Sequence, residues 1–236
     1  MAVEVDIKAL LEAGVHFGHK TSRWHPKMSQ YIHSKRQDSH IIDLVKTVDG
    51  LSTALAFISQ TVSSGKQVLL VGTKRQAKDI VKATATKVEQ PYVTERWMGG
   101  MLTNVATITS RIKQLKSLEK RMDSGELTNR YNKLEVQRFQ EEIDDLNSKY
   151  GGIKDLNGKP GAIFVTDVIE DANAVREANK LGVPVVAMVD TNANPAGVDY
   201  VIPANDDAIK GIQLIMDYVA AAVEEGKSAK DKKEGK

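Results

Sequence analysis

The chain of 236 residues contains no cysteine, and only 5% of its residues are aromatic. Without cysteine it has no disulfide bonds and no thiolate nucleophile, which is typical of proteins of a reducing cytoplasm. Its apolar runs are too short to cross a membrane. The first residues carry acidic side chains and no apolar stretch, so a secretory signal peptide is not expected. These absences predict a cytoplasmic protein without a membrane partner.

Residues 13–37 lack acidic side chains, since this stretch contains neither aspartate nor glutamate. The same stretch holds five lysine or arginine side chains and four of the chain's five histidines, although the net charge of the whole chain is only +2. A segment without carboxylates does not repel a phosphate backbone. We therefore expect Lys20, Arg23 and Lys27 to contact phosphates. Trp24 either stacks on an exposed base or packs against its own domain.

Three short apolar segments predict strands of a buried parallel sheet, because they are rich in β-branched residues and do not alternate with polar ones. They cover residues 66–72, 161–167 and 183–190, and residues 92–94 and 199–203 resemble shorter companion strands. Helical patterns lie between them and after the last one. The alternation of strand and helix predicts an α/β fold with a doubly wound parallel sheet.

Residues 103–150 follow a different pattern, in which apolar side chains recur every three or four positions on two segments of about 20 residues. This pattern predicts an inserted antiparallel coiled-coil hairpin whose helices are roughly 30 Å long and project from the domain. The alternative is a helical connection packed on the sheet. Residues 1–102 and 151–225 are then the α/β domain, and residues 226–236 a disordered polar tail.

The glycine motifs that bind nucleotide phosphates are missing from this sheet. The turn "VGTKRQAK" has one glycine where a dinucleotide-binding fold has three, and no P-loop motif occurs. The glycine-rich segment "WMGGMLTN" opens a helix and is either a phosphate cradle or a tight turn. A nucleotide enzyme is therefore disfavoured, and no small-molecule substrate is expected.

Metal ligands are also sparse, since neither a cysteine set nor an H-E-x-x-H motif is present. A structural metal such as zinc stays an open alternative, with His19 and Asp190 as the first candidates. Asp206 and Asp207, at the start of the last helix, could complete such a site in three dimensions. No other cofactor is expected.

Several blocks of the sequence are nevertheless specific. They are "AGVHFGHKTSRWHPKM", "HIIDLVKT", "VGTKRQA", "RWMGGMLTN", "GGIKD", "VPVVAMVDTN" and "GVDYVIPANDDAI". In this order they resemble the family of the second protein of the bacterial small ribosomal subunit, over nearly the whole chain. The resemblance implies a Rossmann-like or flavodoxin-like domain with a protruding hairpin and no catalysis. It also implies binding to 16S ribosomal RNA between head and body, and docking of the large first protein that captures messenger RNA.

Carried over residue by residue, the family motifs and the basic patterns nominate a set of RNA-facing positions. These are Lys20, Arg23, Trp24, Lys27, Lys74, Arg75, Lys78, Arg96, Gly99, Gly100, Asn104 and Arg111. Two rival functions stay open: a small-molecule enzyme using Asp167 and Asp190 at strand ends, and a scaffold that binds only proteins.

Overall fold

The structure is a computed structural model that describes residues 5–156 and 158–234, and it contains two sheets. The first is antiparallel, in the order β1-β3-β2, with β1 at Phe17–Lys20, β2 at Ile32–Arg36 and β3 at Ser39–Ile42. The second is parallel throughout, in the order β5-β4-β6-β7-β8. Its strands are β4 (Val68–Val71), β5 (Tyr92–Val93), β6 (Ala162–Val165), β7 (Val185–Val189) and β8 (Tyr200–Pro203). The expected α/β fold with a parallel sheet is confirmed.

Helices cover both faces of the parallel sheet, which explains why its strands are apolar at successive positions. In β4, Val68 and Leu70 belong to one hydrophobic cluster, and Leu69 and Val71 belong to the other. The first cluster includes helices α2 (Leu44–Ser63), α3 (Lys78–Lys87) and α8 (Ile209–Glu234), and helix α1 (Ile7–Glu12) precedes them in the chain. The second includes α7 (Ala172–Leu181) and side chains of the inserted helices.

The insertion consists of α4 (Val105–Asp123), α5 (Glu126–Arg130) and α6 (Lys133–Tyr150). Asn132 and Glu135 form a capping box that starts α6 after the turn. Leu115 is completely buried, and it lies with Ile108 and Tyr150 in the cluster that also contains residues of the parallel sheet. The two predicted helices are therefore present, and their base packs on the domain. Projection of the outer part of the hairpin stays a prediction.

The last helix is longer than expected, because α8 continues through Gly226 to Glu234 where a disordered tail was predicted. Gly226 does not end the helix, since it lies where α8 crosses α2. A Cβ atom at this position would approach the Ser59 carbonyl oxygen to 2.6 Å. Lys227 then forms an ion pair of 2.6 Å with Glu89. Residues 235–236 of the predicted tail, and residues 1–4 of the predicted domain, lie outside the described residues.

The antiparallel sheet was not predicted, because most side chains of β2 are exposed and polar. A two-residue turn connects β2 to β3, and both of its residues have positive φ: 46° at Gln37 and 61° at Asp38. Such a turn matches the twist of a hairpin. No helix in the described part of the chain is long and apolar enough to cross a membrane.

Candidate nucleic-acid interface

The carboxyl ends of the parallel strands gather the basic segments at one edge of the sheet. Because the strands are parallel, the residues that follow β4, β5, β7 and β8 emerge at the same edge. Lys74 and Arg75 follow β4, and Arg96 follows β5. Two of the three basic clusters that are far apart in sequence therefore meet in space.

The third cluster, residues 20–27, is attached to this edge by Thr191, directly after Asp190 at the end of β7. Thr191 Oγ1 accepts a hydrogen bond of 2.8 Å from the His19 amide, and the Thr191 carbonyl accepts one of 2.8 Å from the His25 amide. Gly18 permits this approach, since a Cβ atom there would lie 2.6 Å from Thr191 Cγ2. The segment without carboxylates is thus fixed beside the strand ends.

Five cations at this edge are exposed and have no ion pair with any residue in the described ranges. They are Lys20, Arg23, Lys27, Arg75 and Arg96. An unpaired surface cation keeps its full charge for a phosphate and loses no internal bond when it binds one. These five side chains form what we call the edge cations.

Lys74 differs from the edge cations, because its ammonium is bound within the protein. Its Nζ atom lies 2.8 Å from Asp206 Oδ1, 2.6 Å from Asp207 Oδ1 and 3.2 Å from Asp167 Oδ2, and only 18% of the side chain is exposed. Burial opposes its charge, but the bonds to Asp206 and Asp207 outweigh burial and raise the pKa of Lys74. Its charge therefore stabilises buried carboxylates.

The other predicted contact residues have local roles that the structure shows. Lys78 lies 3.3 Å from Glu95, Arg111 donates a bond of 3.0 Å to Gln114, and the Asn104 side chain caps α4. Trp24 is 38% exposed, and its ring centroid lies 5.3 Å from that of His40 on β3. Packing on its own domain is therefore part of the role of Trp24, and part of its side chain stays exposed.

Glu177, on α7, organises the glycine-rich segment and was missed by sequence reasoning. Its carboxylate accepts five hydrogen bonds: from Trp97 Nε1 at 3.1 Å, the Gly100 amide at 2.7 Å, the Leu102 amide at 3.0 Å, and both the amide and the hydroxyl of Thr103 at 3.1 Å. Burial works against its ionised form, but these bonds outweigh burial and lower the pKa of Glu177. The amides that would cradle a phosphate are thus satisfied by a side chain of the protein itself.

The two neighbouring glycines in this segment differ in whether the fold requires them. Gly100 has a φ of +87°, which other residues adopt only with strain. Gly99 has no positive φ, and no atom lies within 4 Å of the position that a Cβ would occupy. The described fold therefore requires glycine at position 100 but not at position 99.

Comparison with known proteins gives a family for this architecture. Residues 10–226 match the family Ribosomal protein S2. The chain is 50% identical over 227 residues to small ribosomal subunit protein uS2 of Roseiflexus sp., covering 96% of this chain and 86% of that protein. It is also 50% identical over 222 residues to uS2 of Chloroflexus aggregans (94% and 93% covered) and 47% identical over 235 residues to uS2 of Bifidobacterium longum (98% and 84% covered). This chain belongs to the ribosomal protein S2 family.

In this member of the S2 family, the same edge also holds a cluster of carboxylates around His19, most of them buried. The His19 Nδ1 atom lies 3.1 Å from Asp190 Oδ2, and its Nε2 atom lies 3.4 Å from Asp207 Oδ2. The bond and charge of Asp190 raise the pKa of His19 against the effect of burial. Burial, together with the charges of Asp167 and Asp190, raises the pKa of Asp206 to about 7. The two metal candidates from the sequence, His19 and Asp190, are thus in contact, and Asp206 and Asp207 lie beside them.

Proposed function

We propose that the protein binds 16S ribosomal RNA through the edge cations and holds that RNA by shape and charge, without catalysis. Its membership of the ribosomal protein S2 family makes it a structural constituent of the small ribosomal subunit that works in translation. The expected cytoplasmic location agrees with this membership. The observation that carries the proposal is the set of five exposed, unpaired cations on three segments that meet at one edge of the sheet.

The bonds that Lys74 makes within the protein refine this proposal. A phosphate at Lys74 would have to displace buried carboxylates, whereas phosphates at Arg75 and Arg96 would displace only water. We therefore assign Lys74 to supporting the edge and the neighbouring cations to contacting RNA. The glycine-rich segment contributes a surface for close approach at Gly99, since Glu177 occupies the amides further along.

The enzyme alternative is not favoured by the strand-end carboxylates. Asp167 Oδ1 accepts bonds from the amides of Ile169 and Glu170, and its Oδ2 faces Lys74. The Asp190 side chain is completely buried, and its Oδ1 accepts bonds from the amide and hydroxyl of Thr191. Both aspartates therefore stabilise the edge itself and do not line an open substrate crevice.

We also propose that the protein lies between the head and body of the subunit and helps to dock the large first protein that captures messenger RNA. The resemblance of the sequence blocks supports this, and so does an apolar cavity of about 420 Å³ at the base of the hairpin. Val105 and Leu181 line this cavity and are 59% and 36% exposed. Apolar surface of this kind fits a protein neighbour better than RNA.

Sedimentation of a tagged copy through sucrose gradients tests the proposed function. We expect the chain to migrate with small subunits at low salt and to be released at high salt, because counterion release makes phosphate contacts salt-dependent. Subunits made without the chain should lack the large first protein as well. Migration as a free protein at every salt concentration would contradict RNA docking, and normal content of the first protein would contradict the docking role.

The variant Gly99→Ala tests whether RNA approaches this position closely, because the substitution should affect RNA binding without destabilising the fold. Its backbone conformation suits alanine and no neighbour is in the way, so the urea midpoint should stay unchanged or rise slightly. We expect the affinity for 16S RNA to fall by about tenfold, equivalent to about 1.4 kcal/mol, because the methyl group takes the space of an RNA atom. Filter binding at fixed salt measures this, and an unchanged affinity would show that RNA does not approach closely at position 99.

A further inference from the structure

Asp171 is a buried acidic residue that the proposed RNA contacts do not use. It lies in the turn after β6, directly before α7, and only 1% of the residue is exposed. Its Oδ2 atom accepts a hydrogen bond of 3.2 Å from the Thr73 amide, and its Oδ1 atom accepts one of 2.9 Å from the Thr73 hydroxyl. Both carboxylate oxygens are therefore bound to a single residue, which follows the neighbouring strand β4.

The position of Asp171 makes this contact unusual. An aspartate directly before a helix ordinarily accepts a hydrogen bond from an amide of the first turn of that helix. The Asp171 side chain makes no such bond with α7 and reaches across to Thr73 instead. Burial raises the pKa of Asp171 to about 6 against the bonds from Thr73, and the charges of Asp167 and Glu170 act in the same direction as burial. The protein thus holds this carboxylate in its interior at a cost, and what the carboxylate fixes is the turn after β4.

Arg75, one of the edge cations, belongs to that turn. Thr73 precedes it by two residues, and the ammonium of the intervening Lys74 is bound to three carboxylates. On the other side, the Lys74 carbonyl accepts bonds of 2.9 and 3.0 Å from the amides of Ala77 and Lys78, where α3 begins. The backbone around Arg75 is therefore held on both sides, whereas its side chain is exposed. A cation that is fixed in this way loses less conformational freedom when it binds a phosphate.

We propose that Asp171 is a positioning residue of the RNA interface, which fixes the turn after β4 through Thr73 and thereby directs Arg75 toward an RNA phosphate. This inference rests on the proposed binding of RNA by the edge cations. Asp171 is buried and does not touch RNA, so its contribution passes through Arg75. The effect of replacing Asp171 should therefore depend on the presence of Arg75, whereas a general weakening of the fold would not depend on it.

Double-mutant cycles with the full-length chain test this dependence, with filter binding of 16S RNA at fixed salt as the measurement. We expect Arg75→Ala to lower the affinity by about 5-fold, because one phosphate contact is lost. Asp171→Ala should lower it by about 3-fold, because Arg75 remains but is no longer held in place. In the Arg75→Ala background the loss caused by Asp171→Ala should vanish. In the background of Arg96→Ala, an edge cation on another segment, the two losses should multiply.

Asp171→Asn is the conservative control, because its side-chain amide accepts from the Thr73 amide and donates to the Thr73 hydroxyl oxygen. It should keep the affinity of the unchanged chain, and it should not lower the urea midpoint, because it removes a buried charge. If Asp171→Ala does not fold, Thr73→Val replaces it in both cycles. That variant keeps the side-chain shape and removes one of the two bonds, and its loss of about 2-fold should also vanish in the Arg75→Ala background.

The outcomes of the cycles separate this inference from the proposed function. Unchanged affinity of Asp171→Ala, or an equal loss with and without Arg75, would overturn the positioning role while RNA binding stands. Absence of RNA binding by the unchanged chain would overturn the proposed function and this inference with it.

Discussion

Glu177→Ala should lower the free energy of unfolding by about 3 kcal/mol and release the glycine-rich segment from α7. The substitution removes an ionised acceptor of five hydrogen bonds and leaves amides of Gly100, Leu102 and Thr103 without their partner. Hydrogen bonds to charged groups contribute about 1.5–3 kcal/mol each, and the partial exposure of this carboxylate reduces the total. Urea unfolding measures the stability, and hydrogen exchange of these three amides measures the local release.

Arg176→Ala is the control, because Arg176 is an exposed neighbour on the same helix whose guanidinium bonds only to Asn173 among the described residues. It should change stability by less than about 0.5 kcal/mol. If Glu177→Ala left both the midpoint and the exchange of the three amides unchanged, the carboxylate would not be what holds this segment.

The lowered pKa of Glu177 makes the stabilisation by this carboxylate dependent on pH. Because folding lowers this pKa below its ordinary value of 4.5, the stabilisation is fully present above pH 4.5 and is lost as the pH falls through the lower, folded value. The indole NH signal of Trp97, which donates to Glu177, should therefore shift in acid before global unfolding. In Glu177→Ala that acid step should be absent.

The parallel sheet could be predicted because its determinants are local. The central strands β4, β6 and β7 are buried at every position, so their apolar runs are visible in the sequence, and the helices between the strands carry their own periodicity. The antiparallel sheet could not be predicted in this way, because β2 is polar and depends on pairing with β3. The sheet is attached to the domain through β1, by the long-range contact of His19 with Thr191. The prediction that α8 ends before residue 226 was wrong for a similar reason. Gly226 stays helical because α2 packs against it, and no local signal records that contact.

At the site, the positions of the basic residues could be predicted but their partners could not. Lys74 follows a strand as a phosphate-binding residue would, yet its carboxylate partners Asp206 and Asp207 lie more than 130 residues away in sequence. The partners of Glu177 could not be predicted from the sequence for the same reason. It is one acid on an amphipathic helix, and only the fold brings it to a segment 74 to 80 residues earlier. Such long-range pairs decide which cations remain free for RNA.

Reversing the charges of three edge cations together should have the largest effect on function. In the variant Lys20→Glu, Arg23→Glu, Lys27→Glu, three phosphate contacts are replaced by repulsion. We expect the affinity for 16S RNA to fall by at least about 100-fold at physiological salt, and the slope of log affinity against log salt to decrease by about 2 to 3. Filter binding across a salt series measures both quantities, and sucrose gradients should show loss of the variant from small subunits.

The control reverses the charges of Lys66, Lys87 and Lys180, which are exposed near the opposite edge of the parallel sheet, where its strands begin. Lys87 differs from the edge cations in lying 3.8 Å from the exposed Glu224, so circular dichroism of this variant should accompany the binding measurement. Both triple variants have the same net charge, so a difference between them reports the position of the cations and not the total charge. Nearly unchanged RNA binding in the control, with the salt slope kept, would assign the interface to the carboxyl edge. Equal losses in both variants would mean that the protein attracts RNA by its overall charge, and the convergence of the basic segments would then not explain the binding.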